Sequence, residues 1–347
     1  MNSKQLFPYK RLKNKSLCLL CTLFPEESQD LLQRITNKRF KKCYSKVNLS
    51  SVIQEINIKK SYKITCLIKI DNNNVAYSGN YDSYSYSIFI YNLNSGKFIN
   101  TLLRHYAKIN SLLRINKTIL ASGSSDETIR IWNYKTRNCL LSFLGHSIYT
   151  RSIIKLNNCE IITCGGDSQI KLWDYISGNF FKSLGNMGEW RGISSIVKLN
   201  NNKIASGCFC SISIWDLNSG KCLNIINCHY GYVTCIIKIV NQNSTQIATA
   251  SEGDTSIKIW DLEKENGKCL KTLLKHNGSV ISLVKLDFSK IASAGLDHCV
   301  YIWDLTTGSC IKSFSFNGII SMVKLNHYQL IVVTEDCLIK VFDFKSI

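Results

Sequence analysis

The sequence predicts an all-β protein built from seven copies of one four-stranded unit, closed into a ring. Three observations predict it. The wording IASAGLDHCVYIWDLTTG, ending at Gly308, returns as IASGCFCSISIWDLNSG, IATASEGDTSIKIWDLEKENG, IITCGGDSQIKLWDYISG and ILASGSSDETIRIWNYKTR. The aromatic at the Trp position recurs at Tyr91, Trp132, Trp173, Trp215, Trp260, Trp303 and Phe342, with separations of 41, 41, 42, 45, 43 and 39 residues. That spacing holds four short strands and their turns. Finally, Pro8 and Pro25 both precede the repeats, so no proline interrupts a strand ladder.

Residues 1–49 lack the repeat and are expected to form a basic N-terminal extension with one short helix. Pro25, Glu26 and Glu27 suit a helix start, and Leu31, Leu32 and Ile35 follow at helical spacing before Lys38, Arg39, Lys41 and Lys42. Such a helix suits a lid on one face of the ring, or a docking segment. Lys10, Arg11, Lys13 and Lys15 before the apolar run Leu17 to Phe24 imitate a secretion signal, but no small-residue cleavage site follows. Cys18 and Cys21 form a lone CxxC with only Cys43 nearby, short of the four ligands of a structural zinc site.

The ring is expected to occupy residues 50–347. Aligning Ile64 with Val280 places residues 52–58 over the outermost strand of a later unit, while the seventh unit lacks that strand. An open sheet edge is a liability, so residues 52–58 are expected to close the last sheet. Within each unit the order is an apolar strand such as Val280 to Leu286, a polar turn, a second strand such as Lys290 to Ser293, a tight turn, a third strand ending in Trp-Asp, and a fourth after Gly.

The formal charge of +19 favours partners rich in phosphate or carboxylate. Of that excess, +8 falls in residues 1–49 and +11 is spread over the remainder, so a lysine-rich composition explains it equally well. Among the sixteen cysteines, Cys139, Cys222, Cys269 and Cys310 share one repeat position with Phe98 and Phe180. They are expected to be small core hydrophobes in a reducing compartment. The expected location is the cytoplasm, with the nucleus as the alternative.

These residues resemble the WD-repeat family over about residues 50 to 347, through Trp-Asp at 173, 215, 260 and 303, a His roughly 27 residues before four of the tryptophans, and an Asp six before. The resemblance implies a seven-bladed β-propeller. It also implies buried hydrogen-bond chains of His, Ser or Thr, Asp and Trp. The sets are His105, Ser122, Asp126 and Trp132; His146, Thr163, Asp167 and Trp173; His229, Thr249, Asp254 and Trp260; and His276, Ser293, Asp297 and Trp303.

This assignment consumes four of six histidines and leaves His298 and His327 in different units. No metal cluster, phosphate-binding glycine loop or exposed nucleophile is recognisable, so neither catalysis nor a cofactor is expected.

Departures from the repeat mark candidate contacts. Unit one lengthens the turn that holds Tyr81, Tyr84 and Tyr86, although these tyrosines also suit the start of the next strand. Unit four has lost its Asp around Phe209 and carries Trp190 and Arg191 near the His position. Unit seven has Phe316 and Val332 at the His and Ser positions.

In the family the His and Asp turns share one rim. The residues after each His position give an arc of Tyr62, Lys63, Tyr106, Lys108, Tyr149, Arg151, Trp190, Arg191, Tyr230 and Tyr232. Tyr, Trp and Arg dominate interface energetics. Arg151 is similar in position to the phosphate-reading arginines of substrate-adaptor propellers, although Asn110, Ser194, Thr234 and Ile281 stand at the equivalent places.

The expected function is a non-catalytic scaffold or adaptor that binds an acidic or phosphorylated segment of a protein partner on this rim. The alternative is an RNA- or nucleoprotein-associated propeller that uses its charge and tyrosines as stacking platforms.

Overall fold

The computed structural model describes residues 52–58, 63–80, 85–185, 192–240, 244–264 and 267–344. The expected N-terminal helix, the CxxC pair, Tyr62, Tyr81, Tyr84, Trp190 and Arg191 lie outside them.

Short β-branched and aromatic runs separated by polar turns give twenty-seven strands among the described residues, all antiparallel to their neighbours. Five sheets have four strands and one has seven. The larger sheet arises because Cys222–Val240 runs without a break, first as the outer strand of one blade and then as the inner strand of the next. Counted by role, there are seven four-stranded blades. The first runs from an inner strand, Ile64–Lys69, to an outer strand, Lys97–His105. In the seventh, the outer position is taken by Val52–Asn57, which pairs antiparallel with Leu338–Asp343.

The burial pattern shows where the core lies. Second strands such as Ile161 to Gly165 are buried throughout, while the outer strand Asn138–Leu144 alternates exposed and half-buried residues. Apolar side chains on both faces of each blade meet those of its neighbours. Seven clusters result among the described residues, each shared by two adjacent blades; one joins Ile331 and Val333 of the last blade to Val75 and Phe89 of the first. The inner strands touch in succession and the last touches the first, so they wall a central channel. This is a seven-bladed β-propeller.

One expectation needs correction. Cys139, Cys222, Cys269 and Cys310 are not core residues: Cys222 and Cys269 are exposed and the other two half-buried. Each is the cross-strand partner of a repeat Trp, at a shift in register. The outer strand has no sheet beyond it, so an apolar residue there covers the Trp from one side only.

Candidate functional site

The rim is built by the repeated polar residues. In blade two, Trp132 Nε1–H donates to Ser122 Oγ at 2.8 Å, and His105 Nε2 lies 2.7 Å from the same hydroxyl. Indole only donates, and burial favours the neutral imidazole, so with Nδ1–H donating to Asp126 Oδ2 at 2.7 Å the bare Nε2 accepts the hydroxyl hydrogen. Burial holds the His105 pKa below its ordinary value despite the opposing pull of Asp126.

The same chain of contacts joins His146, Thr163, Asp167 and Trp173 at 2.7 to 2.9 Å. It recurs with His229, Thr249, Asp254 and Trp260, and with His276, Ser293, Asp297 and Trp303. Desolvation pushes Asp167 up, but hydrogen bonds from His146 and the Gln169 backbone and the nearby Lys171 ammonium outweigh it and draw the carboxyl down to about 2. Each His belongs to the strand or loop leaving one blade, while its partners belong to the next. The chains therefore staple neighbouring blades rather than bracing one.

Where the His is absent the packing changes. Phe316 lies 5.5 Å from Phe342 and Val332 is fully buried, an apolar replacement for the chain in blade seven. Among the described residues, blade four keeps only the bond from Trp215 Nε1 to Ser206 Oγ, at 2.8 Å.

Of the other two histidines, His298 accepts the Gly318 N–H through Nδ1 at 3.1 Å and His327 lies beside Tyr328. Among the described residues no three metal-ligating side chains gather.

The candidate contacts separate into two groups. Lys63 and Lys108 immediately precede two inner strands, and Arg151 is the second residue of a third; all three are exposed. Partial desolvation holds Lys108 below its ordinary pKa, and the like charges of Arg151 and Lys63 push in the same direction. No carboxylate forms an ion pair with any of these three among the described residues.

Arg151 also interrupts a belt. At its position in other blades, Thr65 donates to Ile109 O at 2.7 Å and Asn110 to Thr150 O at 3.0 Å, while Ser194 donates to Val233 O and Thr234 to Val280 O. Its guanidinium has no hydrogen bond among the described residues, in contrast to these neutral side chains.

The second group is aromatic. Tyr106 is 78% exposed beneath the Arg130 guanidinium, and Tyr230 is 88% exposed. Phe209 and Tyr232 meet edge to face at 5.1 Å across adjoining strands. Tyr149 is half-buried over Gly166, where a Cβ would come within 2.8 Å of its ring, so that glycine is required for the close approach. Tyr86 begins a strand and pairs with His105 and Asn80.

Sequence reasoning missed a second set of charges. Lys69, Arg114, Lys155, Lys198, Lys238, Lys285 and Lys324 occupy one position in all seven blades, paired with the first fully buried residue of the second strand. The signal was a cation closing each inner-strand run, as in ITCLIK, INSLLR and VISLVK.

Fold and site together define a propeller whose repeated histidines serve the framework and whose distinctive residues lie on its rims. Four stretches, residues 96–133, 137–174, 220–261 and 267–304, match the family described as WD domain, G-beta repeat. The chain belongs to the WD-repeat family.

It is similar to the small ribosomal subunit protein RACK1y of Oryza sativa, at 35% identity over 34% of this chain and 35% of that protein. The COMPASS component SWD3 of Saccharomyces cerevisiae is 31% identical over 38% of this chain and 44% of its own length. Autophagy-related protein 16 of Arabidopsis thaliana is 26% identical over 49% of this chain and 33% of its own. The matches thus span less than half of each relative. Two of the three are named as parts of larger assemblies.

Proposed function

We propose that this protein is a non-catalytic scaffold that holds an acidic or phosphorylated segment of a protein partner on the rim carrying the His and Asp turns. The observation that carries this reading is the gathering of Lys63, Lys108 and Arg151 at the starts of three successive inner strands, without a paired carboxylate among the described residues. Clustered cations repel one another, and an anion relieves the cost. Arg offers a planar fork to carboxylate or phosphate, while Tyr106, Phe209, Tyr230 and Tyr232 supply aromatic area beside it. The COMPASS component and the ribosomal protein among its relatives support a role inside assemblies. No disulfide joins the described cysteines, which supports a reducing compartment, and we place the protein in the cytoplasm.

Capture of partners by the intact chain tests the reading. Arg151→Glu and Lys108→Glu should each remove the partners while leaving the melting temperature unchanged; unaltered capture in both would overturn it. The charge of +19 and the exposed tyrosines favour RNA as a second reading. RNA binding would weaken steeply with salt, and saturable RNA binding at physiological salt with no captured protein would favour it.

A further inference from the structure

The seven cations at or near the far ends of the inner strands lie at the mouth of the channel opposite the His and Asp rim, because each inner strand starts at that rim and runs away from it. They form a ring. Lys69 feels the charges of Arg114 and Lys324 on either side, and Lys285 those of Lys238 and Lys324.

Five of the amines also reach across a seam between blades. Lys155 Nζ donates to Ile115 O at 3.1 Å and Lys198 Nζ to Leu156 O at 2.8 Å. Lys69, Lys238 and Lys324 donate likewise to Leu325 O, Leu199 O and Leu286 O. In every case the acceptor follows the cation of the preceding blade.

A latch of this kind does not need charge. At the other end of the same strands the blade-to-blade bonds are made by Thr65, Asn110, Ser194 and Thr234, all neutral. Composition does not explain the ring either, since Lys and Arg supply 43 of 347 residues yet fill this position in every blade. Blades four and seven have lost the His chain and keep the cation.

Compensation is sparse. Asp71 and Asp287 act on Lys69 and Lys285, and none of the seven cations has a carboxylate within ion-pair distance among the described residues. An ammonium carries three donors, and the bond to the neighbouring carbonyl uses one; Lys69 gives a second to Asn72 Oδ1 at 3.0 Å.

We propose that this ring is a second binding site, separate from the His and Asp rim, for a compact polyphosphate anion. Several phosphoryl groups on one small molecule match the ring in charge and in multiplicity. Lysine suits the task as a point charge that needs no fixed fork geometry. The bound anion would tie successive blades together and raise the stability of the folded ring.

Calorimetric titration of the intact chain with inositol hexakisphosphate, at physiological salt, tests the site. The expected result is a saturable one-to-one complex and a rise in melting temperature. Lys155→Gln combined with Lys198→Gln keeps a donor for each neighbouring carbonyl but removes two charges; affinity should fall about tenfold or more. Melting without the anion should stay near that of the unaltered chain. Should the pair fail to fold, Lys155→Gln alone serves, with a smaller loss. Arg151→Glu, on the other rim, should leave the titration unchanged. Absence of saturation, an equal loss in Arg151→Glu, or displacement by single-stranded RNA at lower concentration than by inorganic tripolyphosphate would each overturn the proposal.

Discussion

At the scale of single residues, the hydroxyl of Ser122 is the hinge of its chain, since it accepts from Trp132 and donates to His105. Ser122→Ala orphans both buried partners and should cost about 2 to 5 kcal/mol in thermal or urea unfolding. Ser206→Ala orphans only Trp215 Nε1 and should cost about 1 to 3 kcal/mol. An equal loss at both sites would contradict the accounting.

Acid should act through the same residues. His105 and His229 have pKa values lowered chiefly by burial, so the unfolded chain takes up protons below about pH 6.5 that the folded chain refuses. Stability is therefore full above that pH and declines below it. Asp126, Asp167 and Asp254, also lowered, contribute stability above about pH 4 that is lost as the pH falls further. His105→Phe should lower stability at neutral pH yet flatten its decline between about pH 6.5 and 5, measured by chemical denaturation at each pH.

At the scale of the element, turns and edges decide. The residue after the turn aspartate has positive φ in five blades: Glu127, Ser168, Thr255, His298 and Cys337. A β-branched residue suits this least. Thr255, at φ 54°, should gain about 1 kcal/mol on replacement by Gly, the left-handed strain relieved exceeding the added chain entropy. The closing strand is the other decisive element. Ile56 is buried between blade seven and blade one, so Ile56→Asp should strip Val52–Asn57 from its partner and expose a sheet edge. Sedimentation should then show self-association that the unaltered chain lacks.

Much of this was legible in the sequence, and the rest was hidden for physical reasons. The Trp period announces blades because one strand's length and one turn's chemistry repeat, and the resemblance to WD repeats implied His105, Ser122, Asp126 and Trp132 as a set that the coordinates bring within hydrogen-bond distance. The outer cysteines were misread because apolar alternation does not say whether another sheet lies beyond. Fusion of two strands into Cys222–Val240 was hidden because Tyr230, Gly231 and Tyr232 read as a turn. Each lysine of the channel ring looks like an ordinary strand-end residue until seven inner strands stand side by side.

At the scale of the whole molecule, closure of seven sheets uses the repeated polar residues internally and leaves two charged mouths on one channel. On the proposed function, the protein works by adhesion at the rims rather than by chemistry within the walls. Lysine footprinting tests this most directly: the acetylation rates of Lys63 and Lys108 are compared with and without a peptide selected on the intact chain from a randomised phosphopeptide library. Both residues should become protected by the peptide, and protection should vanish in Arg151→Glu. Unchanged labelling of Lys63 and Lys108 under saturating peptide, with protection elsewhere on the ring, would contradict the assignment of the partner to the His and Asp rim.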